Sequence, residues 1–320
     1  MSVQIINPKN GLPLIKIADK LIDDNGNFYP IINFVPRITF SENYSLNFGF
    51  QWNSFINTQL DAPSLKLSLN RFQASTNWNL DNLNSLDILE VGSGAGRFSR
   101  ILLDYSKCNL WSIDYSNAVD ANIINNFNFS DNRFKLFQAS IYELPFPDDS
   151  FDKVFCLGVL QHTPDFEKSI QMLIQKAKKG SEIVVDFYPI KGWWTKIHTK
   201  YLLRPITKKL SHSLLLRIIK FNITWLITLF DILMFFKLGF LTRFLPITDL
   251  RGFPSELGKK ERKEWAILDT FDGFSPKYDN PQSIKVVLQM FEKNGARVTF
   301  AGFVNYNEGT SAVVRAIKSL

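Results

Sequence analysis

The chain has 320 residues, 45% of them hydrophobic and 21% charged, an ordinary globular composition that excludes a disordered, collagenous or low-complexity protein. Cys108 and Cys156 are the two cysteines, so a disulfide-framed secreted fold and a multi-cysteine zinc site are excluded, and no metal is expected. A net charge of +7 with 14% aromatic residues points to an anionic partner: nucleic acid, a phosphorylated carrier or an acidic membrane surface.

The opening stretch reaches Pro8 and Lys9 before an apolar run of signal-peptide length develops, so no export signal is expected and the cytoplasm is the expected compartment. Residues 1–60 are rich in Asn and Pro. Asp23-Asp24-Asn25-Gly26-Asn27, between short apolar runs, predicts a hairpin turn. From Leu80 to Asp186 short β-type runs alternate with amphipathic helical stretches, the pattern of a parallel sheet with crossover helices. Strands are predicted at 87–91, 110–113, 134–137, 153–157 and 183–187. Helices are predicted at 97–106, 118–127 and 166–178, the last closed by Gly180. The rhythm stops between Lys191 and about Asn280, and after Pro281 a helix at 282–293 and strands at 296–302 and 311–316 complete the sheet. The expected division is an N-terminal extension (1–60), an α/β core (61–190), a largely helical insertion serving as a substrate cap (191–280) and a C-terminal helix and hairpin (281–320). An insertion of that size is far longer than an ordinary connection.

Within the insertion, Ser213, Arg217, Lys220, Thr224, Thr228 and Asp231 recur at helical spacing. They predict a helix over 214–236 with one narrow polar face and a wide Leu/Ile/Phe/Trp face that wants cover. Lys220 and Asp231 interrupt the apolar run, so a bilayer span is not expected. Lys191, Lys196, Lys200, Arg204, Lys208 and Lys209 precede it without a carboxylate. Basic residues followed by an aromatic amphipathic helix at 213–237 suit peripheral contact with an anionic membrane. A lid packed on the core, or on a second subunit, explains the same pattern.

Leu86-Asp-Ile-Leu-Glu90-Val-Gly92-Ser-Gly94-Ala-Gly96-Arg-Phe98 reads as a buried strand, three alternate glycines and a helix. Backbone without Cβ turns sharply and lets a ligand approach the helix N-terminus. The dinucleotide fingerprint places its third glycine where this chain has Arg97, so that spacing fails. Asp114 closes the next strand, where a carboxylate can accept both hydroxyls of a ribose.

Glu90 with the Glu-x-Gly-x-Gly-x-Gly spacing resembles motif I of the class I S-adenosylmethionine (SAM) methyltransferases. The resemblance implies a Rossmann-like, seven-stranded, mostly parallel α/β sheet and SAM as cofactor, held by Glu90, Gly92, Gly94, Gly96, Asp114, Ser140, Ile141 and Leu157. Ser140 stands where the family usually has an acid. The flanks Phe48-Gly-Phe-Gln-Trp-Asn53, Thr58-Gln-Leu-Asp61, Glu264 to Asp272 and Ser275 to Asp279 resemble one bacterial and archaeal subgroup. Relatives in it often carry a zinc-ribbon leader, which here has no cysteine and is expected to fold without metal. The resemblance implies methyl transfer to a small-molecule or lipid-linked acceptor such as a glycan or surface-polymer precursor. A quinone or other membrane lipid is the alternative acceptor, and a non-catalytic module that holds RNA or protein is a further alternative.

His162, Asp269 and Tyr278 are the catalytic candidates. An imidazole after the fourth strand can take a proton from an attacking hydroxyl, and a hydrogen-bonded structural histidine fits the same position. Asp269, Asp272 and Tyr278 read as a pocket wall orienting a polyhydroxylated acceptor, or as a solvated loop. Cys156 lies inside a strand and reads as an inert buried thiol. Neither the Pro-Cys motif of cytosine methylases nor the Asp/Asn-Pro-Pro-aromatic tetrad of adenine methylases occurs, so nucleic acid is the less expected acceptor.

Overall fold

The computed structural model describes residues 3–39, 43–62, 65–129, 133–190, 192–307 and 309–319; Lys191 of the expected basic run lies outside them. At the N-terminal end β1 (Ile15–Ile17), β2 (Lys20–Ile22), β3 (Phe28–Ile32) and β4 (Val35–Pro36) form a small antiparallel sheet. The hairpin turn between β2 and β3 falls on residues 23–27, with Gly26 at φ +81°. The Asp23 carboxylate is its hub, accepting from the side-chain amides of Asn7 at 2.7 Å, Asn10 at 2.8 Å and Asn27 at 3.0 Å. Beyond β4 the leader runs beside the main sheet, where the Ile38 N–H donates to the Gln138 carbonyl at 2.8 Å.

Two helices follow, α1 (Leu46–Ser54) and α2 (Leu67–Thr76). Asp61 serves the start of α2, its carboxylate accepting from the N–H groups of Ser68 and Leu69 at 2.6 and 2.9 Å; orphan donors in a first helical turn are commonly satisfied by such a carboxylate. The core then alternates β5 (Asp87–Val91), α3 (Arg97–Tyr105), β6 (Asn109–Asp114), α4 (Val119–Asn126), β7 (Phe134–Gln138), β8 (Phe151–Cys156), α5 (Phe166–Lys176) and β9 (Ala177–Phe187). Helices α6 (Thr199–Thr207), α7 (His212–Phe235) and α8 (Lys259–Phe274) come between β9 and α9 (Ile284–Lys293), and β10 (Ala296–Tyr306) and β11 (Gly309–Lys318) close the chain's last hairpin.

The main sheet has the order β7-β6-β5-β8-β9-β11-β10, with β11 antiparallel to both neighbours and β5 to β9 parallel. This is the seven-stranded, mostly parallel α/β architecture expected. Its central strands are apolar on both faces because helices cover both: Ile88 packs with Leu102, Leu110 and Phe155, while neighbouring Leu89 packs with Trp111, Val154 and Ile170. From β5 the chain crosses to β6 on one side, and β8 lies on the other. A crevice therefore opens at the carboxyl ends of β5 and β8.

Gly180 does not close α5. That helix ends at Lys176, and Gly180 sits inside β9 at φ +77°. The pairing explains it: Phe151 and Lys153 of β8, two residues apart, face Ala177 and Glu182 of β9, five apart, so the extra residues bulge and the glycine takes the left-handed turn. Lys176 anchors the exit from α5, its Nζ donating to the Phe146 carbonyl at 2.8 Å and the Asp148 carboxylate at 2.7 Å.

The wide apolar face of α7 is covered only in part. Leu215, Ile219, Ile223, Leu226 and Phe230 are buried with Phe271 of α8 and with Phe55, whereas Ile218, Phe221, Trp225 and Phe235 are exposed. By length and composition α7 could cross a bilayer. It lies instead along α8, fastened by Arg262, which donates to both oxygens of Asp231 at 2.7 and 2.8 Å.

Candidate active site

A strand that ends in alternate glycines leaves its backbone open to a ligand. Gly92, Gly94 and Gly96 all have positive φ, at +84°, +52° and +84°. A Cβ on Gly92 would lie 2.2 Å from Val159, and one on Gly96 would lie 2.2 Å from the Asn126 side chain. These two glycines let the turn pack against β8 and α4. Gly94 has a different role, because a Cβ there would meet only the Trp52 indole at 3.1 Å, across the cavity wall. The Gly94 N–H donates to Oδ2 of Asp114 at 2.8 Å, and Ser116 donates to Oδ1 through its N–H at 2.8 Å and its hydroxyl at 2.6 Å. Burial raises the Asp114 carboxyl above its ordinary value, and these three donors oppose that rise. An ionised carboxylate has about four acceptor sites, so Asp114, with three donors on it, retains about one, on Oδ2, for a ribose hydroxyl.

The cavity in front of this turn measures about 880 Å³. Gly92, Gly94, Asp114, Ile141, Leu157 and His162 all line it, although they come from four separate turns. Three expected cofactor residues stand back from it. The Glu90 carboxylate is turned into the fold, where Oε2 accepts from the Ser99 hydroxyl at 2.5 Å and the Ser112 hydroxyl at 2.6 Å, while Oε1 has no hydrogen-bond partner among the described residues. Burial pushes Glu90 up to about 7; the two serine hydroxyls oppose this and Asp114 adds to it. It is thus a positioning residue that ties β5 to α3 and β6 beneath the glycine turn. Gly96 packs on α4. Ser140 accepts from the Tyr142 N–H at 3.2 Å and shapes the turn after β7, leaving its neighbours Ala139 and Ile141 on the cavity wall.

His162 ends a 3-10 turn, Leu160–His162, after β8. Its Nδ1 lies 3.1 Å from the backbone carbonyl of Tyr278. A carbonyl oxygen only accepts, so Nδ1 carries the hydrogen and Nε2 the lone pair. Nε2 is buried, has no hydrogen-bond partner among the described residues, and lies 3.9 Å from Oδ2 of Asp272. Tyr188 donates its hydroxyl to that same oxygen at 3.0 Å. Phe48 and Tyr188 pack on the imidazole, with ring centroids at 4.9 and 5.6 Å. Asp269 also reaches the cavity. Burial and the like charge of Asp272 push it up to about 7, and it accepts from the Gln59 amide at 3.1 Å. Tyr278 is the correction in this group: its ring packs on Tyr44, and what it brings to the site is its carbonyl.

Sequence reading missed Arg71 and Asp186. Arg71 on α2 donates to Oδ2 of Asp186 at 2.7 Å, and Asp186, at the end of β9, also accepts from the Gly158 N–H. Burial opposes the Arg71 charge, and Asp186 more than offsets this, holding it above its ordinary value. Both residues line the cavity beside Gly158. An arginine and an aspartate 115 positions apart carry no local pattern. The segments on either side of the core, by contrast, meet one another: Gln59 joins Arg97 at 2.9 Å to Asp269 on the cavity wall, and Thr58 donates to Glu264.

The residues fit an adenosyl sulfonium. The Gly94 turn, faced by the Trp52 indole, and the Asp114 carboxylate would receive its nucleoside, and Gly158, Asp186 and Arg71 would face its zwitterionic amino-acid end. Sheet order, glycine turn and carboxylate together define a class I SAM-dependent methyltransferase domain, for which SAM is the cofactor.

Residues 89–185 match the family described as a methyltransferase domain. The chain is 30% identical over 144 residues to a tRNA U34 carboxymethyltransferase of Nautilia profundicola, covering 44% of this chain and 42% of that one. It is 31% identical over 137 residues to the ubiquinone/menaquinone biosynthesis C-methyltransferase UbiE of Rickettsia massiliae, covering 38% and 52%. The chain thus spans about half or less of the length of these curated relatives. Among solved structures it is similar to the Synechocystis magnesium protoporphyrin IX methyltransferase with bound S-adenosylhomocysteine, at 15% identity and a TM-score of 0.46, covering 86% of this chain and 97% of that one.

Proposed function

We propose that the whole chain is a SAM-dependent methyltransferase whose acceptor is a hydroxyl of an amphiphilic, lipid-linked molecule such as a glycan or surface-polymer precursor. The observation that carries this reading is the lone pair of His162 Nε2, held by the Tyr278 carbonyl on Nδ1 and facing Asp272, two residues that both line the cavity the glycine turn opens. SAM supplies a methyl group on a sulfonium, already activated toward a nucleophile. The chain's own work is to align the acceptor, exclude water and receive one proton. His162 takes that proton at Nε2 as the acceptor oxygen attacks, and the imidazolium then lies against Asp272, whose position is set by Tyr188. Asp269 and Gln59 supply an acceptor and a donor for neighbouring hydroxyls of the same molecule.

In this reading residues 1–60 form the extension, 61–190 the cofactor core, 191–280 the cap over the acceptor and 281–320 the last part of the sheet. The enzyme works at the cytoplasmic side of a membrane, with peripheral contact through 213–237. A quinone ring is the second reading, supported by the aromatic lining of the cavity mouth at Trp194 and Phe240 and by the likeness to UbiE. Incubating the chain with methyl-labelled SAM and a cell extract, then separating RNA, lipid, polymer and aqueous fractions, tests the proposal. Label in a lipid-linked saccharide supports it, label in quinone selects the second reading, and label confined to RNA refutes both.

A further inference from the structure

We propose that a continuous aromatic face of the cap docks on the surface of an anionic lipid bilayer and holds the mouth of the acceptor cavity against it. This deepens the reading above and takes from it only what the bilayer delivers. The face has two parts. One is the uncovered stripe of α7, where Leu214, Ile218, Phe221, Trp225, Ile232 and Phe235 follow at helical spacing on the side turned away from Leu215, Ile219, Ile223, Leu226 and Phe230. Phe221 and Phe235 are 84% and 81% exposed. The second part adjoins the C-terminal end of α7. There Arg243 donates to the carbonyls of Trp194 at 2.7 Å and Ile197 at 3.0 Å, binding the Trp193–Trp194 segment to the 3-10 turn Gly239–Phe244. Trp193, Phe236, Phe240 and Phe244 are all exposed at this junction.

The charge distribution selects the occupant. Between Gly192 and Thr248 the chain has nine Lys and Arg residues and a single carboxylate, Asp231; Lys200 and Arg204 turn inward onto Asp279, and most of the others face outward. Exposed Lys196, Lys208, Lys209, Arg217, Lys220 and Lys237 thus border an apolar, tryptophan-bearing surface. That is the composition of an element lying in the headgroup region of an acidic membrane. In a two-fold dimer through this face the basic border would meet its own copy, which opposes association. RNA would find the basic border but not a use for the aliphatic side chains of Ile218 and Ile232. Trp194 and Phe240 belong both to the face and to the cavity lining, so a bilayer seated here meets the cavity mouth directly.

The full chain is floated with phosphatidylcholine vesicles and with phosphatidylcholine/phosphatidylglycerol vesicles, at low and high salt, beside an F221S/F235S variant. Binding to the anionic vesicles at least about tenfold above the neutral ones, reduced by salt, and lost in the variant while its melting temperature and S-adenosylhomocysteine affinity stay as in the parent, is the expected result. Equal flotation of the variant, absence of flotation, a dimer that the same substitutions dissociate, or tighter binding to RNA than to vesicles would overturn the proposal. A chain that binds S-adenosylhomocysteine but stays off vesicles overturns the docking alone. One that floats but binds no S-adenosylhomocysteine overturns the methyltransferase reading alone.

Discussion

The buried Nε2 of His162 and Oδ2 of the half-buried Asp272 face each other at 3.9 Å without a hydrogen bond between them. A proton taken at Nε2 from the acceptor hydroxyl would place the resulting imidazolium opposite this carboxylate. His162→Gln should therefore lower kcat by about a hundredfold or more with S-adenosylhomocysteine affinity unchanged, and Asp272→Asn should give a smaller loss. Single-turnover rates with the acceptor identified by labelling, set beside calorimetric titration of S-adenosylhomocysteine, check both. A wild-type rate in His162→Gln would remove the base.

The Gly94 cradle predicts a specific binding defect. A side chain there meets Trp52 in the cavity and must hold φ near +52°, which L-residues adopt only with strain. Gly94→Val should weaken S-adenosylhomocysteine by at least about tenfold. Calorimetry that finds the parent's affinity would show that the nucleoside does not lie over this turn.

Asp114 is expected to hold the ribose and also to order the turn, since it accepts from Gly94 and Ser116. Asp114→Asn should cost about 1–3 kcal/mol of cofactor affinity, roughly tenfold to a hundredfold. Of 2′-deoxyadenosyl and 3′-deoxyadenosyl homocysteine, the one that lacks the hydroxyl held by Asp114 should lose less against this variant than against the parent, because that hydroxyl no longer meets a carboxylate.

Glu90 makes stability depend on pH. Burial pushes its folded-state value up to about 7 from the ordinary 4.5, so between these pH values the folded chain binds more protons than the unfolded one. Stability then falls as pH rises through that window and levels off above it, a difference on the order of 3 kcal/mol for this shift. Glu90→Gln, which mimics the protonated acid, should gain stability relative to the parent near pH 8 and little near pH 5. Thermal melts of both proteins across the range give the difference; parallel curves would refute it.

Arg71 and Asp186 form an ion pair in which the carboxylate is 2% exposed. Arg71→Met strands that charge and should destabilise the fold by about 3 kcal/mol. The R71M/D186N double variant should recover much of the loss. Urea unfolding of the two single variants and the double variant measures the coupling, and additive losses would show that the pair is not the source.

The features read from sequence are those set by local stereochemistry. Alternate glycines after an apolar run need positive φ, and Gly92, Gly94 and Gly96 have it. Asp23 to Asn27 suits a turn, and a hairpin turns there. Period-3.6 polarity from Ser213 to Asp231 demands a helix, and α7 spans it. Chain closure decided the rest. Which oxygen lies against His162 Nε2 depends on residue 272 returning to residue 162, and the partner of Arg71 depends on residue 186. Likewise Glu90 faces inward because Ser99 and Ser112 meet it there, and Gly180 turns inside a strand because β8 fixes the register of β9. Half the apolar face of α7 is buried because α8 covers that half. Such pairings arise between segments far apart in the chain, where backbone propensity and periodicity carry no signal and only packing selects the partner.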